Sequence, residues 1–497
     1  MNRWTRAMSS LIGLFAPEKA IKYAAGRQRL ARYTGYGGAS PDGPNKGWRP
    51  VNRSEDALLA KDREALMARA RDLERNSGHI SGAISKIVNN VVYTGMYPHA
   101  KLATSDGKKK DQENKRINKA WKKWAESRDV QFYEIQDLVL RHLWIDGEVL
   151  VHKYFDRDLY NKGLCPLALE VLEADFLDST LTTENSENGN RIKQGIEYSK
   201  KGRPVAYHIF KEHPGETGPF ARMAWGAERR RVPVENMRHI FFRKRASQSR
   251  GVSWMSSIIM EMRDFSEYQN SERIAARLAS AFGAFVESPY PEHQYQHPLF
   301  GDNEAPSVND IPSYLEPGRI DVLPPGMKIN VAQYNRPGDS YEPFTKTSLK
   351  GASAGTGMSY ENFSNDYEGS TYSSARQAIL EERRGYRKMQ WFLVRNFLNW
   401  VWQSWITDAH VSRIVGTIPE EVPVSWRLPG WDWIDPQKDA RGAQLELEMH
   451  ITNRRRLSAQ RGFDWDEDIE DLQEEEEILR EKEIKEAEQD ARYSNHS

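Results

Sequence analysis

From Ser54 to Arg75 the apolar residues Leu58, Leu59, Leu66, Ala70 and Leu73 recur at helical spacing, and Asn76 with Gly78 supplies a stop. Ile80, Ile84, Ile87, Val88 and Val91 share one face of a second helix, so a helical hairpin is expected. Residues 113–126 set Ile117, Trp121 and Trp124 among lysines and arginines, the pattern of a basic amphipathic helix with a solvated charged face over a tryptophan anchor. Ile135 to Leu143 reads as helix, and Asp146-Gly147 as a turn into an alternating strand, Glu148 to Phe155. Short strands are expected at Leu167–Leu172, Gly195–Tyr198, Val205–Phe210 and Arg238–Phe242, with turn residues between them. Together these make a mixed α+β region.

The character then changes. Between Trp254 and Phe285 the chain carries Ile258, Met262, Phe265, Ile274, Leu278, Phe282 and Phe285 at mostly three- and four-residue steps, with no proline until Pro289. This predicts a helix of about thirty residues, roughly 45 Å long, whose charged face (Glu261, Arg263, Asp264, Glu267, Glu272, Arg273, Arg277) alternates in sign. Residues 287–340 are proline-rich and irregular, with short strands expected near Ile320–Leu323 and Lys328–Val331. Tyr341 to Ala354 leads into GASAGTGMSYENFSNDYEGSTYSSARQAILE, residues 351–381. Its Gly, Ala and Ser residues suit either closely packed backbone or a turn. The polar run from Ser359 to Thr371 suits an exposed loop with some structure of its own. A second long helix is expected from Ser373 to His410, then a turn-rich segment with Trp426, Trp431 and Trp433, and helices over Pro436–Met449 and Asp466–Asp490.

Charge changes this picture in one respect. Lysine plus arginine (71) equals aspartate plus glutamate (71) over 497 residues, which excludes a strongly basic body that clamps nucleic acid. The balance hides an asymmetry: residues 464–490 hold fifteen acidic and three basic residues, whereas residues 1–50 hold nine lysines or arginines against Glu18 and Asp42. The chain has a basic head and an acidic tail. Its single cysteine, Cys165, excludes an internal disulfide and suits synthesis in a reducing cytoplasm. Met8 to Ala16 is too short and too broken by Ser9, Ser10 and Gly13 for a secretory signal. Trp391 to Ile406 includes Arg395, Asn396, Asn399 and Gln403, so a buried helix is expected there rather than a membrane span.

Catalytic patterns are few. Gly351-Ala352-Ser353-Ala354-Gly355 has the spacing of a nucleophile elbow, but the preceding FTKTSLK has no buried-strand character, so close backbone packing is the stronger expectation. His293 and His297 with Glu292 have metal-ligand spacing, yet Pro291 and Pro298 argue for a solvated loop. No phosphate-binding loop or dinucleotide fingerprint is present, which argues against a motor ATPase. Carboxylates are plentiful but unplaced. Basic clusters at Lys108–Lys110, Arg229–Arg231, Arg243–Arg245 with Arg250, and Arg454–Arg456 are candidates for phosphate contact, each more readily a solvated turn. No motif for sequence-specific nucleic-acid recognition accompanies them.

Six segments, in order, resemble the lambda-type phage portal family: ARARDLERNSGHISGAISKIVNNVVYTGMYP (68–98), LVLRHLWIDGEVLV (138–151), LEVLEADFLD (169–178), RGVSWMSSIIMEMRDFSEYQNSERIAA (250–276), EPGRIDVLPPGMKI (316–329), and the stretch from residue 351. The resemblance implies an α+β, mainly helical portal fold in a cyclic homo-oligomer, usually of twelve copies, around a central channel. It further implies a basic N-terminal arm (1–52), a wing region (53–250), stem helix 1 (251–286), a clip (287–340) and stem helix 2 (341–357). A tunnel loop (358–372), the wing's long helix and return (373–435), and crown helices with an acidic tail (436–497) complete the plan. The implied function is packaging and ejection of double-stranded DNA at one capsid vertex. The implied partners are the major capsid protein, the terminase large subunit, and adaptor or tail proteins. Assembly in the host cytoplasm is implied, with no membrane, cofactor, metal or catalytic residue. Lys346, Lys350, Tyr360, Asn362, Phe363, Asn365 and Tyr367 are the expected channel residues. The alternatives are a DNA-packaging nuclease or ATPase, and another ring or adaptor protein of a virion.

Overall fold

The computed structural model describes residues 47–103, 110–186, 188–216, 228–281, 285–287, 328–330, 341–463 and 465–494, with isolated positions before residue 47. Apart from isolated positions, the expectations for residues 1–46 of the N-terminal arm lie outside the described residues, as do those for Lys108 and Lys109, for His293 and His297, and for a strand at Ile320–Leu323. The chain divides into two compact units, Met1–Leu58 and Leu59–Ser497. The fold below is that of the second.

Helices α1 (Glu55–Asn76) and α2 (Gly78–Val91) follow the apolar spacing, and α2 buries Ile80, Ile84, Ile87, Val88 and Val91. After the short strand β1 (Tyr97–Ala100) come α3 (Asp111–Ala125) and α4 (Phe132–Ile145). Strands β2 (Glu148–Phe155), β3 (Leu167–Leu172) and β8 (Met237–Phe241) form an antiparallel sheet in the order β3-β2-β8. Between β3 and β8 in the chain, β4 (Arg191–Lys193), β5 (Ile196–Tyr198), β6 (Pro204–Phe210) and β7 (Arg229–Pro233) form an antiparallel meander. Strand β7 falls on an expected basic cluster, and the correction has an electrostatic cause. Arg229 pairs with Asp178 (2.6 Å), Arg230 with Glu170 (3.1 Å) and Arg231 with Glu197 (2.7 Å). These guanidiniums are committed within the fold.

The long helix α5 (Ile259–Ala281) begins later than expected, because Trp254–Ser257 forms a 3₁₀ turn in which the Ser253 hydroxyl accepts from the Met255 amide. Phe285 was expected in this helix. It lies instead in β9 (Phe285–Glu287), paired antiparallel with β10 (Lys328–Asn330). Helix α6 (Tyr341–Thr356) returns along α5, and a five-residue helix α7 (Tyr360–Ser364) follows. The second long helix consists of α8 (Tyr372–Leu393) and α9 (Asn399–Ser412), joined through a π-turn at Val394–Leu398. There Arg238 of β8 donates to the Asn396 carbonyl, and the Asn396 side chain bonds the Phe392 carbonyl (2.9 Å). Strand β11 (Val424–Arg427) pairs with β1, and α10 (Pro436–Glu448), α11 (Arg454–Gln460) and α12 (Trp465–Ser494) end the described chain.

The main core is aromatic at its centre. Trp121 and Trp124 of α3 meet Trp402 and Trp405 of α9, with Phe132 of α4 edge-on to Trp121 at 5.3 Å. The indole nitrogens of Trp124 and Trp402 donate to the carbonyls of Leu167 and Val422, both at 2.9 Å, so these rings are buried with their polar atoms satisfied. The expected tryptophan anchor is therefore a four-ring cluster that closes α9 over α3.

A second centre is ionic. Glu148, the first residue of β2, is fully buried. Its carboxylate accepts from Arg63 Nη1 of α1 (2.9 Å), from Arg250 Nε (2.9 Å), from His239 Nε2 of β8 (2.9 Å) and from the Gly251 amide (2.6 Å). Arg250, one of the residues expected in a basic surface cluster, is wholly buried here. Two glycines allow the approach: a Cβ on Gly147 would lie 2.1 Å from the Val252 carbonyl carbon, and one on Gly251 2.3 Å from the Gly147 oxygen. Burial alone raises a carboxyl pKa, but Arg250, His239 and Arg63 outweigh it and hold Glu148 well below the usual carboxylate range. Burial lowers His239, which stays neutral and donates its Nε2 proton.

Glu148→Gln leaves two buried arginines without their counter-ion, so it should cost about 3–5 kcal/mol at neutral pH, read by urea denaturation. A depressed folded-state pKa contributes stability above the unfolded value, which is lost as pH falls through the folded one. The difference between wild type and Glu148→Gln should therefore shrink as pH drops below about 4.5. A constant difference down to pH 3 would contradict the ionic role.

Candidate nucleic-acid interface

Helix α6 packs on α5 where its side chains are smallest. A Cβ on Gly351 would stand 2.2 Å from Glu261 Oε1, and one on Gly355 2.3 Å from Ile258 Cγ2. Farther along, Tyr268 stacks on Tyr341 (5.9 Å) and meets Phe344 (4.4 Å). Of the two readings open for the small-residue stretch, close helix packing is the one observed. Ser353 is buried inside α6, and its hydroxyl donates to the Lys350 carbonyl (2.9 Å). No strand-to-helix turn presents it, so the nucleophile-elbow spacing is accidental.

Gly357, at φ +75°, ends α6, and the Ser359 hydroxyl then caps α7 by accepting the Asn362 amide (3.3 Å). This segment is tied down from several sides. Glu382 of α8 accepts from the Ser359 amide (2.6 Å), from Asn362 Nδ2 (2.7 Å) and from the Tyr386 hydroxyl (3.0 Å). Lys86 of α2 donates to the Asn362 carbonyl and to Asn365 Oδ1. Phe363 departs from the expectation of a channel-facing residue: it is 2% exposed and stacked on His79, which also meets Phe265 of α5 edge-on. Its ring fastens the segment to the body. A cavity of about 200 Å³ lined by Lys86, Met358, Glu382 and Tyr386 lies beneath.

The remaining expected residues form two groups. Lys350 lies over the Tyr360 ring at 5.4 Å, and the Tyr360 hydroxyl donates to Asp366 Oδ2 (2.7 Å). Lys346 bonds Glu342 (2.6 Å), with Glu368 at 3.5 Å and Asp366 at 3.9 Å. The Glu342 bond raises the pKa of Lys346, and the Tyr360 bond lowers that of Asp366, so both stay charged. In the second group the Tyr367 hydroxyl donates to Asn362 Oδ1 (3.1 Å), and Asn365, at φ +59°, turns the chain. Tyr367 is 55% exposed, and Lys350 and Asn365 are exposed as well. From residue 341 to 372 two lysines stand against Glu342, Glu361, Asp366 and Glu368. The surface is weakly acidic.

Lys86, His79 and Glu382, which position this segment, were not singled out by sequence. Lys86 stands off the buried face formed by Ile80, Ile84, Ile87, Val88 and Val91, so the periodicity of α2 carried no signal for it. Elsewhere, Glu173, Asp175 and His213 converge within 4.8 Å, a spacing that would suit a cation. The Arg71 guanidinium already occupies that place, 3.0 Å from Glu173 and bonded to Asp175. Cys165 is buried with its thiol directed at the Trp405 carbonyl, and burial raises its pKa, which leaves it unreactive. Arg243, Lys244 and Arg245 are exposed, and Arg454–Arg456 open α11 behind the cap of Asn453.

Residues 42–390 match the family described as "Phage portal protein, lambda family", a span that takes in α1 through the greater part of α8. The chain belongs to that family. It is similar to a "Probable portal protein" of Halomonas phage phiHAP-1, 29% identical over 438 residues, covering 85% of this chain and 82% of the relative. It is also similar to "Portal protein B" of Escherichia phage lambda, 23% identical over 486 residues and 89% of each chain. Among solved structures it resembles the neck of an empty GTA particle, at 11% identity and a TM-score of 0.43 over 84% of this chain and 95% of the other. The role is that of a phage portal, the head-to-tail connector of a tailed phage. A portal is a structural component of the virion. Among the described residues no helix is long and apolar enough to cross a membrane.

The two glycines of α6 should respond oppositely. Gly351→Ala meets the movable end of Glu261 and gains helix propensity, so thermal melting should be unchanged or slightly higher. Gly355→Ala meets buried Ile258 and should lower stability by about 1–3 kcal/mol. Equal responses would contradict the close packing of α5 and α6.

Proposed function

We propose that copies of this chain close into a ring, of twelve in the family's usual form, at one capsid vertex. Double-stranded DNA passes through the centre of that ring during packaging and ejection. The observation that carries this reading is the α5/α6 pair, sealed through Gly351 and Gly355 and continued by a short acidic segment pinned to α2 and α8. In this assignment α1–β8 together with α8 and α9 is the wing, α5 and α6 are the stem, residues 287–340 are the clip, residues 358–372 are the tunnel loop, and α10–α12 are the crown. The sign-alternating face of α5 is suited to a head-to-tail interface that closes by rotation.

A conduit must touch DNA without holding it, because each phosphate neutralised adds salt-dependent affinity. The carboxylates around Lys346 cancel its charge, and the acidic segment beside it repels phosphate. Lys350, exposed and held by an aromatic face instead of a carboxylate, is the cation assigned to passing phosphates. Tyr367 and Asn365 are assigned to the same surface, while Phe363 is assigned to anchoring. Docking of terminase, the major capsid protein, and adaptor or tail proteins, and assembly in the host cytoplasm, complete the proposal.

The test is the state of the purified full-length chain. Electron microscopy should show a closed ring with a central hole of duplex width; a compact monomer under assembly conditions would sink the reading. On the assembled protein, Lys350→Ala should weaken DNA retention and flatten its salt dependence, whereas Lys346→Ala should change neither.

A further inference from the structure

A cleft of about 650 Å³ lies between the end of α2, the turn after β11 and the turn after α11. Tyr93, Trp431 and Phe463 contribute its apolar surface, and Arg383, Arg427 and Arg461 its charge. The wall is built on direct backbone contact, since a Cβ on Gly430 would lie 2.1 Å from the carbonyl carbon of Arg461. The Trp431 indole is fixed by donating to Asn90 Oδ1 (3.0 Å).

The guanidiniums here rest on aromatic faces. Arg387 and Arg383 lie 4.9 and 5.6 Å from the Trp431 ring, and Arg461 lies 4.7 Å from Trp433 and 5.4 Å from Phe463. Among the described residues Arg383, Arg387 and Arg461 form no ion pair. Asp432, the acidic residue of the lining, meets Arg383 through its main-chain carbonyl (3.1 Å). Burial pulls both Arg383 and Arg387 below the ordinary arginine pKa, partly offset at Arg383 by Asp432 and Asp439. A stacked guanidinium keeps its N–H edge for a planar anion, and carboxylate is the anion that this fork matches in pairs.

The chain carries such anions in excess. Glu474–Glu477 of α12 are exposed and make no ion pair with the described residues. They stand nine residues or more past Trp465, roughly 14 Å along a straight helix that starts two residues after Phe463. Within one copy this run stays exposed and without an ion pair among the described residues, so the cleft at the foot of its own helix does not hold it. We propose that the cleft receives the Glu474–Glu477 run of a neighbouring copy, as an anchoring contact between copies; this rests on the ring reading above. Duplex DNA fits the cleft less well, because a stiff rod bridges a recess of this size and meets only its rim.

Two variants of the full-length protein test this. Arg383→Glu with Arg461→Glu, and Glu474–Glu477 all changed to Lys, should each weaken association between copies about tenfold, read as the assembled fraction by mass photometry across a salt series. Combining the two sets should restore it. Independently, Arg461→Cys with Glu475→Cys should give intermolecular disulfide ladders on oxidation, with the wild type, whose lone thiol is buried, as control. Rings that persist unchanged with no ladder overturn the cleft contact and leave the ring reading standing. Ladders without rings uphold the contact and overturn the ring. Loss of DNA retention in the arginine variant, with association intact, assigns the cleft to DNA and overturns the proposal.

Discussion

The buried carboxylate of Glu148 is the constraint on which the remaining geometry depends. Around one side chain it gathers α1 through Arg63, the central strand β2, the neighbouring strand β8 through His239, and the segment from Arg250 to Ser253 that launches α5. A buried ion pair adds little net stability over a well-packed apolar substitute, yet leaving one partner alone is strongly destabilising. The cluster therefore acts chiefly on position. It fixes where the α+β body ends and in which direction the α5/α6 pair leaves it, and the backbone contact between Gly147 and Gly251 leaves no slack in that joint.

The channel-segment candidate is held by the same logic at smaller scale. Glu382 and Lys86 use a carboxylate and an ammonium to satisfy main-chain and amide groups of residues 359–365, and Phe363 is buried against His79. What remains outside is a weakly acidic surface with one cation, Lys350, held by an aromatic face. Such a surface opposes tight binding of a polyanion, in keeping with a portal, whose lining must release what it touches.

Much of the fold was legible because its signals are local. The helical hairpin, the strand starting at Glu148, and the helix at 436–448 each carry their periodicity and stop residues within a few turns, whereas the helix at 341–356 was implied by the family resemblance alone. Strands β1 and β11 were not legible: each has four residues, and Tyr97 finds Arg427 only after the intervening chain has folded. The π-turn at Val394–Leu398 was hidden for a related reason, since the Arg238 bond that meets the Asn396 carbonyl comes from a distant strand. Site residues divided in the same way. Composition identified an exposed polar loop, but whether Phe363 faces outward, or Arg250 and Arg229–Arg231 stay free for phosphate, depended on partners such as His79, Glu148, Asp178 and Glu197 that no spacing rule connects to them.

In the proposed ring this joint aims the α5/α6 pair, and with it residues 358–372, at the axis. Cryo-electron microscopy of the assembled full-length protein, at a resolution that traces the chain, tests it most directly. An axial hole wide enough for duplex DNA is expected, with Lys350, Asn365 and Tyr367 on its wall and Glu148 enclosed at the foot of α5. A ring whose hole is lined by other segments, with residues 358–372 on its outer surface, would contradict it.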